Sequence, residues 1–216
     1  MIIFKSINKL NKYIKGKKNV GFVPTMGSLH KGHVSLINEA KKKTNKVLVS
    51  IFINPTQFNR KNDFKTYPRD LIQDIKLLKK INVNYLLIPE FDEIYKSKNE
   101  KKVKLSKKDN ILCAKFRKGH FEGVLAVINQ YLKKIKVKSI YLGEKDYQQY
   151  YLIKKFLNKN FKTSVIMCGT FRDNYYFPYS SRNKLLKKNQ ITRGRKISFL
   201  LNNFRNQLRR GEINIS

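Results

Sequence analysis

The sequence predicts an α/β protein in which a mostly parallel sheet carries helices on both faces. Three observations lead there. Apolar runs of strand length alternate with stretches of helical periodicity. The run Val47 to Ile53 (VLVSIFI) is apolar but for Ser50, as expected of a strand covered on both sides. Polar clusters follow the ends of several of these runs, where parallel sheets place their ligands.

Taken in order, Val20–Val23 reads as a strand, and a helix follows from about Gly32. Val47–Ile53 is the next strand. Leu71, Ile75, Leu77 and Leu78 then fall at helical spacing, with Pro68 and Asp70 near the start. Tyr85–Ile88 is a strand stopped by Pro89, and Lys101–Ser106 reads as a short strand outside the main sheet. Phe121, Val124, Leu125, Val127, Ile128 and Leu132 mark a long amphipathic helix. Ser139–Leu142 is a strand, Asp146–Leu157 a helix and Lys162–Met167 a further strand. The tail from Arg193 to Arg210 reads as one basic amphipathic helix. Its side carrying Ile197, Leu200, Leu201, Phe204 and Leu208 is expected to pack on the domain. This βαβα rhythm is Rossmann-like.

Bulk properties narrow the class. The 216 residues suit one α/β domain with a small appendage, and 41% apolar residues can build a core. No apolar run approaches the ~18 residues that cross a membrane. The start, with Lys5, Lys9 and Lys12, lacks the apolar stretch of a signal peptide. Cys113 and Cys168 have neither metal nor redox spacing, so a reduced, cytoplasmic protein is expected. The formal charge of +34 would suit nucleic acid. However, the lysines are scattered and no nucleic-acid-binding signature accompanies them, so no specific nucleic-acid partner is expected. Weak, salt-sensitive attraction to RNA follows from charge alone.

Chemistry concentrates in Pro24-Thr25-Met26-Gly27-Ser28-Leu29-His30-Lys31-Gly32-His33. The run joins a strand to a helix start, where unpaired N–H groups and the helix dipole favour an anion. Gly27 and Gly32 would let a phosphate approach the backbone, and two imidazoles would complete the cradle. Asn54-Pro55-Thr56-Gln57 follows the next strand, and Gly143-Glu144-Lys145-Asp146 a later one.

In order along the chain stand PTMGSLHKGH, VSIFINPTQF, DFKTYPRD, RKGHFEGV, GEKDYQQ and SSRN. Together they resemble the pantothenate synthetase family, also called pantoate–β-alanine ligases, over about residues 20 to 185. A lone His-x-Gly-His occurs in several nucleotidyl transferases and aminoacyl-tRNA synthetases. The ordered set is far more specific. The resemblance implies a nucleotidyl-transferase-type fold and two half-reactions. ATP activates pantoate as pantoyl adenylate, releasing pyrophosphate. The amine of β-alanine then displaces AMP.

It also implies roles. Met26 to His33, namely Met26, Gly27, Ser28, Leu29, His30, Lys31, Gly32 and His33, would line the ATP site. His33, His30 and Lys145 would be catalytic, with His33 the proton donor. Gly143, Glu144, Lys145 and Asp146 would form the nucleotide loop, Asp146 accepting from ribose hydroxyls. Ser180, Ser181 and Arg182 would form a second phosphate clamp beside Tyr179. Gln57 and Gln149 would hold pantoate, Gln57 also bordering β-alanine. Asp74 is the candidate Mg²⁺ carboxylate, although Gln73 stands where many relatives carry an acid. Tyr67 and Arg117 would lie near the site. A homodimer is the usual family assembly.

The chain departs from the pattern in places. Tyr175-Tyr176-Phe177-Pro178-Tyr179 replaces a smaller stretch, and Phe171 falls where a small residue borders adenine. Only 34 residues follow Arg182. The expected organisation is therefore a nucleotide- and pantoate-binding domain over residues 1–176, then a clamp and shortened lid over 177–216. A shortened lid would shelter the adenylate less well from water. Two other readings stay open: another nucleotidyl transferase on the same scaffold, and a non-catalytic or nucleic-acid-binding protein.

Overall fold

A computed structural model of the chain describes residues 1–95 and 103–214. It begins with β1 (Ile2–Phe4), α1 (Ile7–Ile14), β2 (Val20–Thr25), α2 (Lys31–Lys43) and β3 (Lys46–Ile51). Next come α3 (Lys61–Thr66), α4 (Leu71–Lys80), β4 (Tyr85–Leu87), α5 (Phe91–Ile94) and α6 (Cys113–Phe116). The chain continues with α7 (His120–Lys134), β5 (Ser139–Gly143), α8 (Tyr147–Asn160), β6 (Ser164–Cys168) and α9 (Lys188–Arg209).

The six strands form one sheet in the order β1-β4-β3-β2-β5-β6, every pair parallel. Alternation along each strand feeds two cores. Phe22, Leu48, Leu87 and Ile140 point to the face covered by α1, α7 and α8. Val23, Val49, Leu86 and Tyr141 point to the face covered by α2 and α4. Burying both faces is what makes β3 apolar from Val47 to Ile51 apart from Ser50.

The order reverses at β2, which pairs with β3 on one side and β5 on the other. A crevice opens beyond the carboxyl ends of strands at such a reversal. The loops after β2, β3 and β5 meet there.

Two expectations need correction, and one strand went unforeseen. The strand β1 was not anticipated: three residues carry no legible period, and Ile2 and Ile3 are exposed at the sheet edge. Of the short strand expected at Lys101–Ser106, residues 101–102 lie outside the described residues, and 103–106 form no strand. The tail helix exists, but it starts earlier, and Ile197, Leu200, Leu201 and Phe204 face solvent. Its inner side is polar instead: Asn202 is buried, and Arg195 bonds Asp173 at 2.7 Å. Close approach at Gly194, where an added Cβ would lie 2.7 Å from the Phe177 ring, turns that side inward. The boundary expected at 176/177 falls inside a turn closed by the Arg172–Pro178 bridge and by Asp173, which accepts from Tyr175 and Phe177.

Candidate active site

The loop leaving β2 is built around left-handed backbone. Gly27 has φ of 77° and Ser28 φ of 50°. Asp74, in the first turn of α4 and 3% exposed, accepts the N–H of Ser28 and of Leu29, each at 2.7 Å. Burial raises the Asp74 pKa, and the two N–H bonds pull it back. A Cβ on Gly27 would lie 3.0 Å from Asp74 Oδ2. Gly27 therefore serves the turn and its carboxylate anchor.

The same geometry bears on the expected Mg²⁺ role of Asp74. Both Asp74 oxygens are engaged with backbone, behind the cleft wall. Among the described residues, no group of three or more His, Cys, Asp or Glu side chains could hold a metal ion. Asp74 does not fit a resident Mg²⁺ ligand.

His30 caps α2, and its Nδ1 accepts the N–H of Gly32 at 3.1 Å. One N–H expected to meet a phosphate is thus already used. The same bond assigns the tautomer, leaving the Nε2 proton of His30 to donate elsewhere. Gly32 makes room for this fold-back, since a Cβ there would lie 2.9 Å from the His30 ring. The rings of His30 and His33 lie 4.0 Å apart between centroids, tilted by 34°. Burial, then Lys145 and Lys184, lower the His30 pKa to about 4, opposed by Asp146. Burial, then His30 and Lys145, lower that of His33 to about 3. Both imidazoles are neutral at pH 7, so they act as hydrogen-bond donors rather than cations.

Gln57 ends the turn Pro55–Gln57 after β3 and is buried. Its Oε1 accepts from Asn54 Nδ2 at 3.3 Å, and its Nε2 points to Met26 Sδ at 3.0 Å. Helix α7 braces this turn from below. Asn54 Nδ2 also donates to the Gly123 carbonyl at 3.1 Å, and His120 Nδ1 bonds the Gln57 carbonyl at 2.7 Å. A Cβ on Gly123 would lie 2.4 Å from the Thr56 carbonyl oxygen. The backbone of the Gln57 turn rests on a helix position where any side chain would displace it. Asn54 stands in the polar cluster after β3, and His120 and Gly123 in the RKGHFEGV motif, but none of the three has an individual role legible in the sequence. For Gly123 the signal is a glycine inside an amphipathic helix.

From the far side, Ser180, Ser181 and Arg182 close the site. Ser181 Oγ donates to the Ser28 carbonyl at 2.9 Å, tying the clamp to the β2 loop. Arg182 lies over the Tyr67 ring, 5.3 Å from its centroid. Lys145 and Asp146 bond each other at 3.0 Å.

One cleft of ≈ 240 Å³ gathers most of the anticipated residues. Met26, His30, Gly32, His33, Gln57, Tyr67, Gly143, Lys145, Asp146 and Gln149 line it, with Phe171, Tyr179, Ser180, Ser181 and Arg182 opposite. Gly27, Ser28, Leu29, Lys31, Glu144 and Arg117 do not line it. Ser28 and Leu29 are buried against α4, and Lys31 is exposed. Glu144 accepts instead from the Thr170 N–H at 3.4 Å. The deep end is apolar, with Phe52, Val124, Val127 and Ile128.

A sequence profile of the pantoate-beta-alanine ligase family matches residues 2–215. The chain belongs to that family. It is 46% identical to the pantothenate synthetase of Francisella tularensis subsp. novicida over 210 residues, which cover 93% of this chain and 79% of the relative. The fold agrees with the crystal structure of the Francisella tularensis pantoate-beta-alanine ligase complexed with beta-gamma ATP and beta-alanine. That comparison has a TM-score of 0.89 at 42% identity, over 94% of this chain and 79% of the other. The pantothenate synthetase of Thermus thermophilus superposes with a TM-score of 0.91 at 30% identity, over 98% of this chain and 77% of the other. Six parallel strands with helices on both faces are thus the scaffold of a pantoate–β-alanine ligase, as the motifs implied.

Proposed function

We propose that this cleft joins pantoate to β-alanine by way of a pantoyl adenylate. A pantoate carboxylate oxygen attacks the α-phosphorus of ATP, and the bond from that phosphorus to the bridging oxygen breaks, releasing pyrophosphate. The β-alanine nitrogen then attacks the acyl carbon. The bond from that carbon to the AMP oxygen breaks, and the nitrogen loses its proton to solvent. The observation that carries this reading is the convergence of two sites on one cleft. The paired imidazoles of His30 and His33 line it together with the braced Gln57 amide and an apolar end.

The division of labour follows from chemistry. Phe52, Val124, Val127 and Ile128 suit the branched alkyl part of pantoate, while Gln57 and Gln149 suit its hydroxyl and carboxylate oxygens. Neutral His30 and His33 donate N–H bonds to phosphate oxygens, and Lys145 and Arg182 offset the charge of the departing pyrophosphate. Asp146 suits a ribose hydroxyl. Phe171 and Tyr179, with ring centroids 5.7 Å apart, offer aromatic surface to the base. Mg²⁺ enters as part of the MgATP substrate, held by phosphate oxygens and water. Exposed Ile111, Leu112 and Phe116 support pairing with a second copy. Among the described residues no helix is long and apolar enough to cross a membrane.

The test is pantoate-dependent exchange of pyrophosphate into ATP. Exchange should require pantoate but not β-alanine, and His33→Ala should reduce it by roughly 10²-fold or more. Exchange indifferent to pantoate and to His33 overturns the reading.

A further inference from the structure

The guanidinium of Arg182 is gripped along one edge. Its Nε donates to Asp63 Oδ1 at 3.1 Å, and its Nη2 to Oδ1 at 2.9 Å and to Oδ2 at 2.8 Å. Among the described residues Nη1 makes no hydrogen bond. Asp63 sits in the first turn of α3, a short helix between the Gln57 turn and α4. The Tyr67 ring that follows α3 lies under the guanidinium, 5.3 Å away. Arg182 therefore has one edge pinned, one face covered, and its remaining edge free beside the cleft that it lines.

We propose that Asp63 is the positioning residue for the triphosphate clamp. It fixes the plane of Arg182 so that the Nη1 edge meets the phosphate oxygens of ATP. The proposal rests on the reading of Arg182 as a phosphate ligand. The chemistry favours positioning over simple stabilisation. An exposed ion pair adds little to folding, and Arg182 and Asp63 both keep solvent contact. A guanidinium fork, in contrast, recognises phosphate through its orientation, and an unpinned Arg side chain must be ordered when ATP binds. Asp63 brings a negative charge near an anionic ligand. The pinned edge leaves the opposite edge as the part offered to ATP, so the benefit of orientation outweighs that repulsion.

Two measurements decide the matter. The first is ATP affinity without pantoate, read by displacement of a fluorescent ATP analogue, for Asp63→Ala, Asp63→Glu, Arg182→Ala and the double variant Asp63→Ala with Arg182→Ala. Asp63→Ala should weaken ATP binding five-fold or more, and Asp63→Glu should recover most of that loss. The double variant should bind no more weakly than Arg182→Ala. The second is the KM for pantoate, which should stay within two-fold in Asp63→Ala while the KM for ATP rises. Unchanged or tighter ATP binding in Asp63→Ala overturns the proposal, as do independent losses in the double variant. Wild-type protein that binds ATP but shows no pantoate-dependent exchange would sink the functional reading, and the ATP-affinity result would still judge Asp63.

Discussion

The carboxylate of Asp74 holds the N–H of Ser28 at 2.7 Å from 46 positions further along the chain, fixing the loop that carries His30 and His33. Its other oxygen holds Leu29 in the same way. Hydrogen bonds to a charged group contribute about 1.5–3 kcal/mol each. Asp74→Asn keeps one acceptor and turns an amide toward an N–H donor. It should lower unfolding stability by about 2–3 kcal/mol in a urea titration and raise the KM for ATP. A variant that unfolds at the wild-type midpoint but needs more Mg²⁺ for activity would restore the metal-ligand role.

Gly123→Ala sets two effects against each other. Alanine favours a helix over glycine by about 1 kcal/mol. The added Cβ would meet backbone at 2.4 to 2.7 Å, from Thr56 and Gln57, which no rotamer change relieves. Overpacking of this kind costs about 1–3 kcal/mol. The clash should win, and the Gln57 turn should move. The expected outcome is a lower thermal midpoint and a several-fold higher KM for pantoate, with ATP affinity nearly intact. A stabilised variant with an unchanged KM would refute the bracing role of α7.

Acid should destabilise the fold through the two neutral imidazoles. Their ordinary pKa is 6.5, against about 4 for His30 and about 3 for His33 in the folded protein. Between those values the unfolded chain binds more protons, so stability is fully present above 6.5 and is lost as pH falls toward the folded values. The thermal midpoint of wild type should fall from pH 7 to pH 5. A double variant, His30→Gln with His33→Gln, should show a shallower fall. Equal slopes would place the acid sensitivity elsewhere.

Tyr131→Phe should be neutral or stabilising by up to about 1 kcal/mol, because deleting an unpaired buried hydroxyl removes its desolvation penalty. The hydroxyls of Tyr131 and Ser50 are buried beside each other, and among the described residues neither meets a partner in good hydrogen-bond geometry. The ring itself, packed edge-on against Phe22 at 5.2 Å, is retained by phenylalanine. Chemical denaturation of the two proteins checks this, and a loss above 1 kcal/mol would reveal a partner for that hydroxyl.

Much of the scaffold was legible because its signals are local. Hydrophobic period and length revealed β2 to β6, α2, α4, α7 and α8. The His30–His33 pair and the Gln57 turn were visible as polar clusters after strands, since a parallel sheet delivers its strand ends to one side. The edge strand β1 was not legible, because three residues cannot display a period and two of them are exposed. The outward apolar side of α9 was not legible either. Periodicity tells which residues share a helix face, but not which way that face turns.

The sequence by itself determined the α/β scaffold, the family, and the grouping of histidines, glutamines and clamp residues into one cleft. Only the tertiary structure decided how those groups are held. Asp74 belongs to the β2 loop, Gly123 to the Gln57 turn, and Asp63 to Arg182, the last pair 119 positions apart. Side-chain type and spacing encode strands, helices and caps over a few residues. Which carboxylate meets which N–H or guanidinium depends on how separate elements pack, and that is fixed by burial across the whole sheet.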